Sequence, residues 1–318
     1  MPDQRRFAGR AARKPRSQPG RLARWLTPVA AAGLVTACAA PPPSQTPVER
    51  GRYLVESILG CGNCHTPKDA RGAPIDALNL SGGGVRINVP PFTVTATNIT
   101  PDHDTGIGRW TEAEIKRAIV EGMRPAHGRL ANTQLAPVMA VGFFKALLPA
   151  DLDAVVAYLR SVRPIRNEVA LPVYRARVPF DTYPDAEKGF TAAQMSDPVQ
   201  RGKYLATIGH CMECHSPAET RGHTDYTKLG KGGRGFNPSF VEGFPKEWPG
   251  AVARNITSHR TAGIGAWTDA EIKRAIAQGI ARDGRKLQPP MGFSYYARMT
   301  DADLDALVAY LRTVPPQE

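Results

Sequence analysis

Apolar positions recur at helical spacing in two matching series along this sequence. Residues 48–59 (VERGRYLVESIL) form the first helical stretch. A second opens at Thr111 with the capping pattern Thr111-x-x-Glu114, runs through Ile115, Ala118 and Ile119, and stops at Gly122. A third begins near Pro149, a favourable first helical residue, and carries Leu152, Val155, Val156 and Leu159 on one stripe. The series then restarts. Residues 197–208 mirror the first stretch, with Arg50-Gly51-Arg52-Tyr53-Leu54 returning as Arg201-Gly202-Lys203-Tyr204-Leu205. The capping pattern returns as Thr268-x-x-Glu271, and Glu-Ile-Lys-Arg-Ala-Ile is identical at 114–119 and 271–276. Ala-Tyr-Leu-Arg closes both series, at 157–160 and 309–312. Two units that each hold every element indicate duplication of one domain rather than a solenoid.

The boundaries follow from the repeat. The first domain is expected over 48–162 and the second over 197–318, with 163–196, which lacks a sustained period, as a linker strapped across both. Gly- and Pro-rich loops, including Gly82-Gly83-Gly84 and the stretch 230–235, separate the first and second helices of each unit. They lack the phosphate-loop pattern and are expected to wrap one edge of a cofactor.

Ahead of the first domain, residues 1–37 have the plan of an export signal: a basic segment, then an apolar stretch too short to span a bilayer. It ends Val35-Thr36-Ala37-Cys38, which resembles a bacterial lipobox with Cys38 as the lipidated residue; the alternative is an ordinary signal cut nearby. Residues 38–47 form a Pro-rich stalk. This segment also changes the charge argument. The chain has a net charge of +12, but eight basic residues and one acidic residue lie in 1–37. The remaining 33 basic and 28 acidic residues leave only +5, and no patterned basic helix supports nucleic-acid binding.

The chemistry lies between the helices. Cys61-Gly62-Asn63-Cys64-His65 recurs in kind as Cys211-Met212-Glu213-Cys214-His215. C-x-x-C-H is the attachment pattern of c-type haem: two thiols three apart form thioethers to one porphyrin, and the adjoining histidine reaches the iron. A shared zinc site fits poorly, because the pairs are far apart and each is followed directly by histidine. Two covalent haems are therefore expected, on Cys61 and Cys64 and on Cys211 and Cys214, with His65 and His215 as proximal ligands.

What fills the sixth iron position decides the function. Of seven methionines only Met139 and Met291 occupy matching places, 74 and 76 residues after their histidines. Thioether ligation closes the site and raises the potential. Met123 and His127 are competing donors near the first haem, and His127 has no counterpart in the second unit. His210 is expected at a haem edge, and His103, His223 and His259 as solvated loop residues. The paired Trp110 and Trp267 suit either a haem-edge position or a core anchor. The repeated Asn98 and Asn255 suit a structural role in the loop.

The run N-I-T-P-D (98–102), G-I-G-x-W-T (106–111), P-x-M (137–139) and D-L-x-A-x-x-A-Y-L-R (151–160) resembles the cytochrome c subunits of bacterial periplasmic alcohol, aldehyde and gluconate dehydrogenases. Those subunits usually carry three haem motifs, where this chain has two. The resemblance implies an all-α protein of two tandem class I cytochrome c-like domains, each with one covalently attached haem. It implies an exported, lipid-anchored relay without catalysis of its own. A periplasmic dehydrogenase subunit would be the donor, and a terminal oxidase, quinone or soluble cytochrome c the acceptor. It assigns Cys61, Cys64, His65 and Met139 to one haem and Cys211, Cys214, His215 and Met291 to the other. The rival reading is a dihaem peroxidase, which needs one haem able to open a coordination site.

Overall fold

The computed structural model describes residues 45–219 and 223–318. The segment expected to direct export, Cys38 and most of the expected stalk lie outside the described residues.

Helix α1 (Pro47–Glu56) starts at Thr46, whose side chain accepts from the Glu49 N–H while Glu49 reaches back, and Pro47 occupies the first helical position. The first motif follows as the short helix α2 (Cys61–His65), entered through Gly60 at φ 54°. The loop beyond it contains an antiparallel hairpin, β1 (Arg86–Val89) and β2 (Phe92–Thr95). Helix α3 (Glu112–Glu121) carries the expected capping box at Thr111 and ends at Gly122 in the left-handed region. Then come α4 (Val141–Phe144) and α5 (Pro149–Ser161).

The connecting segment is ordered. It contributes β3 (Val173–Tyr174), which pairs with β2, and α6 (Pro184–Lys188), and its Tyr183 is buried against Phe143 with ring centroids 4.9 Å apart. The second unit then repeats the plan with α7 (Pro198–Ile208), α8 (Cys211–Cys214), three two-residue strands β4 (Gly235–Phe236), β5 (Val241–Glu242) and β6 (Ala251–Val252), and α9 (Asp269–Gln278), α10 (Phe293–Tyr296) and α11 (Asp301–Leu311).

The fold is mainly helical, as the all-α expectation requires, with a small sheet added. Its order is β3-β2-β1-β5, so one sheet is built from the first unit's loop, the connecting segment and the second unit. The hairpin has a physical reason in the sequence: Phe92 and Val94 alternate with Thr93 and Thr95, and the apolar pair is buried. That period-two signal is only four residues long within a loop otherwise rich in Gly and Pro.

Within each unit the first and last helices cross closely. A methyl group on Gly51 would collide with the Ala154 carbonyl of α5, and one on Gly202 with the Ala306 carbonyl of α11. The repeated glycine of the Arg-Gly-x-Tyr-Leu motif is thus the contact that lets the two backbones meet. The described residues form one compact unit, and a single buried cluster runs through both repeats, including Leu54, Ile58 and Phe143 with Tyr204, Ile208 and Met212.

Candidate haem sites at two facing attachment turns

Each attachment motif is a helical turn that brings its two cysteines to one side and delivers the histidine at its end. The four cysteines of these motifs form no disulfide. Burial pushes the Cys61 and Cys211 thiols up to about 12, so both are held as neutral thiols in the polypeptide. The two histidines are braced alike. His65 Nδ1 lies 2.6 Å from the Thr97 carbonyl and His215 Nδ1 2.7 Å from that of Arg254. A carbonyl can only accept, so Nδ1 carries the proton and Nε2 keeps its lone pair, the tautomer a metal needs. Burial lowers both imidazoles below their ordinary value, against the opposing effect of these carbonyl bonds, which favours the neutral, ligating form.

The loops carrying Thr97 and Arg254 are held by the paired asparagines. Asn98 is 3 % exposed; its Oδ1 accepts from the Thr100 N–H at 2.9 Å and its Nδ2 donates to the Ile165 carbonyl at 2.7 Å. Asn255 does the same with Thr257 and the Gln317 carbonyl. Each therefore ties the loop that braces the histidine to the chain beyond the last helix, the structural role expected of them.

Met139 and Met291 are half-buried and stand just before α4 and α10. Two further donors lie in the loop before Met139. His127 is exposed, with Nε2 3.2 Å from Glu114 Oε1, and Met123 forms a backbone bridge with Gln134. His210 packs edge-on to Phe143 and Phe144, at centroid distances of 6.4 and 6.0 Å. Trp110 and Trp267 pack half-buried against the main core.

Two histidines expected to be solvated are only partly exposed and are hydrogen-bonded. His223 Nδ1 is 3.0 Å from Asp181 Oδ1, and this carboxylate also accepts from the Thr224 hydroxyl, so the pair pins the connecting segment to the second loop. His259 Nδ1 accepts from the Ala262 N–H at 3.0 Å and closes a turn. Only His103 is exposed as expected.

The structure also shows what periodicity could not, namely that each attachment turn rests on the other repeat. Asn63 Nδ2 donates to the Pro290 carbonyl at 2.7 Å. A methyl group on Gly62 would stand 2.9 Å from Tyr295 Cε1 of α10. Reciprocally, Phe143 and Phe144 of α4 carry His210, next to Cys211. Tyr296 lies among both motifs: its phenol is held above its ordinary value first by loss of solvent, then by the thiols of Cys211, Cys214 and Cys64.

These residues suit haem c. They offer paired thiols on one turn, an imidazole with Nε2 free, and at Arg234 a buried Nε with no hydrogen-bond partner among the described residues, a donor of the kind a propionate takes. Among the described residues no three His, Cys, Asp or Glu side chains converge as a zinc site would require. Two clefts, of about 350 and 280 Å³, lie at equivalent places beside α1 and α7, and neither is lined by a residue of the C-x-x-C-H turns.

A capped first helix crossing the last at a glycine, with C-x-x-C-H on the turn between, is the architecture of a cytochrome c, here present twice. The chain belongs to the cytochrome c family, whose model matches residues 48–163 and 199–315. It is similar to a nicotinate dehydrogenase subunit of Pseudomonas putida, at 30% identity over 84% of this chain and 21% of that protein. It is also similar to the cytochrome c subunit of the quinone alcohol dehydrogenase of Komagataeibacter europaeus, at 30% identity over 85% of this chain and 56% of that subunit. A diheme cytochrome c-type protein of Cereibacter sphaeroides is 27% identical over 81% of this chain and 83% of its own length. The chain thus spans little more than half, or less, of the first two relatives. No described helix is long and apolar enough to cross a membrane.

Proposed function

We propose that this chain is a dihaem electron carrier that takes electrons from a dehydrogenase and passes them to a respiratory acceptor. One observation carries the reading: the doubled attachment turn, with each histidine braced through Nδ1 on a backbone carbonyl. Cys61, Cys64, His65 and Met139 would hold one haem, and Cys211, Cys214, His215 and Met291 the other, in repeats spanning 48–162 and 197–318. Haem c supplies a one-electron iron couple, which a thioether ligand shifts upward in potential. The polypeptide's part is to fix the imidazole tautomer, hold the methionine loops and keep the two attachment turns together. The relatives named as dehydrogenase cytochrome subunits support a dehydrogenase as donor. A terminal oxidase, quinone or soluble cytochrome c would be the acceptor. Export through residues 1–37 and lipidation at Cys38 would place the carrier on the periplasmic side of a bacterial membrane.

Quantified haem and the spectrum of the oxidised protein test this. Two haems per chain are expected, with a far-red methionine-to-iron band lost in two steps in Met139→Ala and Met291→Ala. A high-spin haem that consumes peroxide would instead make the protein a peroxidase. Cys38→Ser is expected to release the chain from membranes.

A further inference from the structure

The stretch before Met291 has few means of holding itself. Pro289 and Pro290 have no N–H to donate, so only their carbonyls can tether it. Both carbonyls are taken by side chains from elsewhere in the fold. Trp248 Nε1 donates to the Pro289 carbonyl at 3.1 Å. Asn63 Nδ2 donates to the Pro290 carbonyl at 2.7 Å. Asn63 lies inside the first attachment motif, between Cys61 and Cys64, in the opposite repeat. On the far side of Met291, Gly292 is buried, and a methyl group there would stand 3.6 Å from Asn63 Nδ2. The Asn63 amide therefore bonds the residue before Met291 and stands beside the one after it.

The arrangement is one-sided. Glu213 occupies the place of Asn63 in the second motif, and its carboxylate turns to His210 at 3.2 Å. Among the described residues no side chain donates to the carbonyl of Pro137 or Val138 ahead of Met139.

We propose that Asn63 is a positioning residue for Met291, so that the attachment turn of the first haem holds the ligand loop of the second. This rests on the reading of Met291 as ligand. An iron–thioether bond depends on where the loop presents its sulfur. Removing one donor takes away one of the two side-chain tethers on the carbonyls ahead of Met291.

The test uses the full-length, haem-loaded protein carrying Asn63→Asp, which keeps the shape and removes the donor, or Asn63→Ala. Haem content, the far-red band and the two midpoint potentials are measured beside Met291→Ala. The expected result is two haems retained, a smaller share of the band removed by Met291→Ala, and a lowered midpoint for the second haem alone. Trp248→Phe should give the same signature. A wild-type band with both midpoints unchanged overturns the proposal. So does a change confined to the first haem, or loss of that haem in both variants, since Asn63 would then act on its own motif. If Met291→Ala itself leaves the band intact, the ligand assignment fails first, which separates the two failures.

Discussion

Tyr204 of the second repeat donates its hydroxyl to Asp151 Oδ2 of the first at 2.6 Å, and the bond is buried. The same carboxylate accepts from Arg50 at 2.8 and 2.9 Å within its own repeat. The exchange is mutual: Asp303 accepts from Arg201 within the second repeat and from Tyr53 of the first. In each Arg-Gly-x-Tyr motif the arginine thus serves its own repeat and the tyrosine serves the other. The pseudo-twofold clasp holds the repeats in the register that sets the attachment turns against α4 and α10.

Removing one side of this clasp should loosen the pairing of the repeats. Tyr204→Phe should cost about 1.5 kcal/mol, the low end for a hydrogen bond to a charged acceptor, since Arg50 still pairs the carboxylate. Asp151→Ala should cost about 2–3 kcal/mol, less than a fully buried pair because Arg50 keeps some solvent. Denaturant unfolding of the haem-loaded protein measures both. Equal stability of Tyr204→Phe and wild type would remove the clasp from the account.

The helix crossings make a second prediction. Gly51→Ala and Gly202→Ala each force a methyl group into a carbonyl of the facing helix. Overpacking of this kind costs about 1–3 kcal/mol. Alanine raises helix propensity, so a variant as stable as wild type in thermal unfolding would show that the helices part freely.

Acid should act on the capping boxes. The Thr111 and Thr268 N–H groups each donate to a glutamate oxygen, on Glu114 and Glu271, at 2.8 Å. These bonds hold both carboxylates below their ordinary value of 4.5, helped by His127 beside Glu114 and by Arg282 and Arg274 beside Glu271. A lowered folded value means stabilisation in full above the ordinary value, lost as pH falls through the folded one. The thermal midpoint should therefore decline with falling pH from about pH 5 downward. A Glu114→Gln, Glu271→Gln double variant, which keeps the cap but cannot titrate, should show a flatter decline.

The first haem's ligand can be approached through its rival. His127 is exposed and paired with Glu114, so His127→Ala should leave the oxidised spectrum and both midpoints unchanged. A changed far-red band in that variant would return His127 to contention against Met139.

The local features were legible because they are set by near neighbours in the chain. The capping boxes at Thr111 and Thr268, the glycine stop at 122, and the attachment turns each depend on contacts within a few residues. The hairpin at 86–95 was not, because four alternating residues inside a Gly-rich loop give too short a period to stand out. His223 and His259 look solvated in the sequence because their partners are a carboxylate in the connecting segment and the backbone of a tight turn.

By itself the sequence determined the duplication, the helices and the residues suited to hold haem, since repetition and short-range chemistry need no knowledge of the fold. Only the tertiary structure decided which repeat each side chain serves. Tyr53, Tyr204 and Asn63 sit in motifs that match, or nearly match, along the chain, yet each bonds across the interface. The reason is geometric: a hydrogen bond between residues 53 and 303, or 63 and 290, exists only once two separately patterned units pack face to face, and no period in either unit records the facing one.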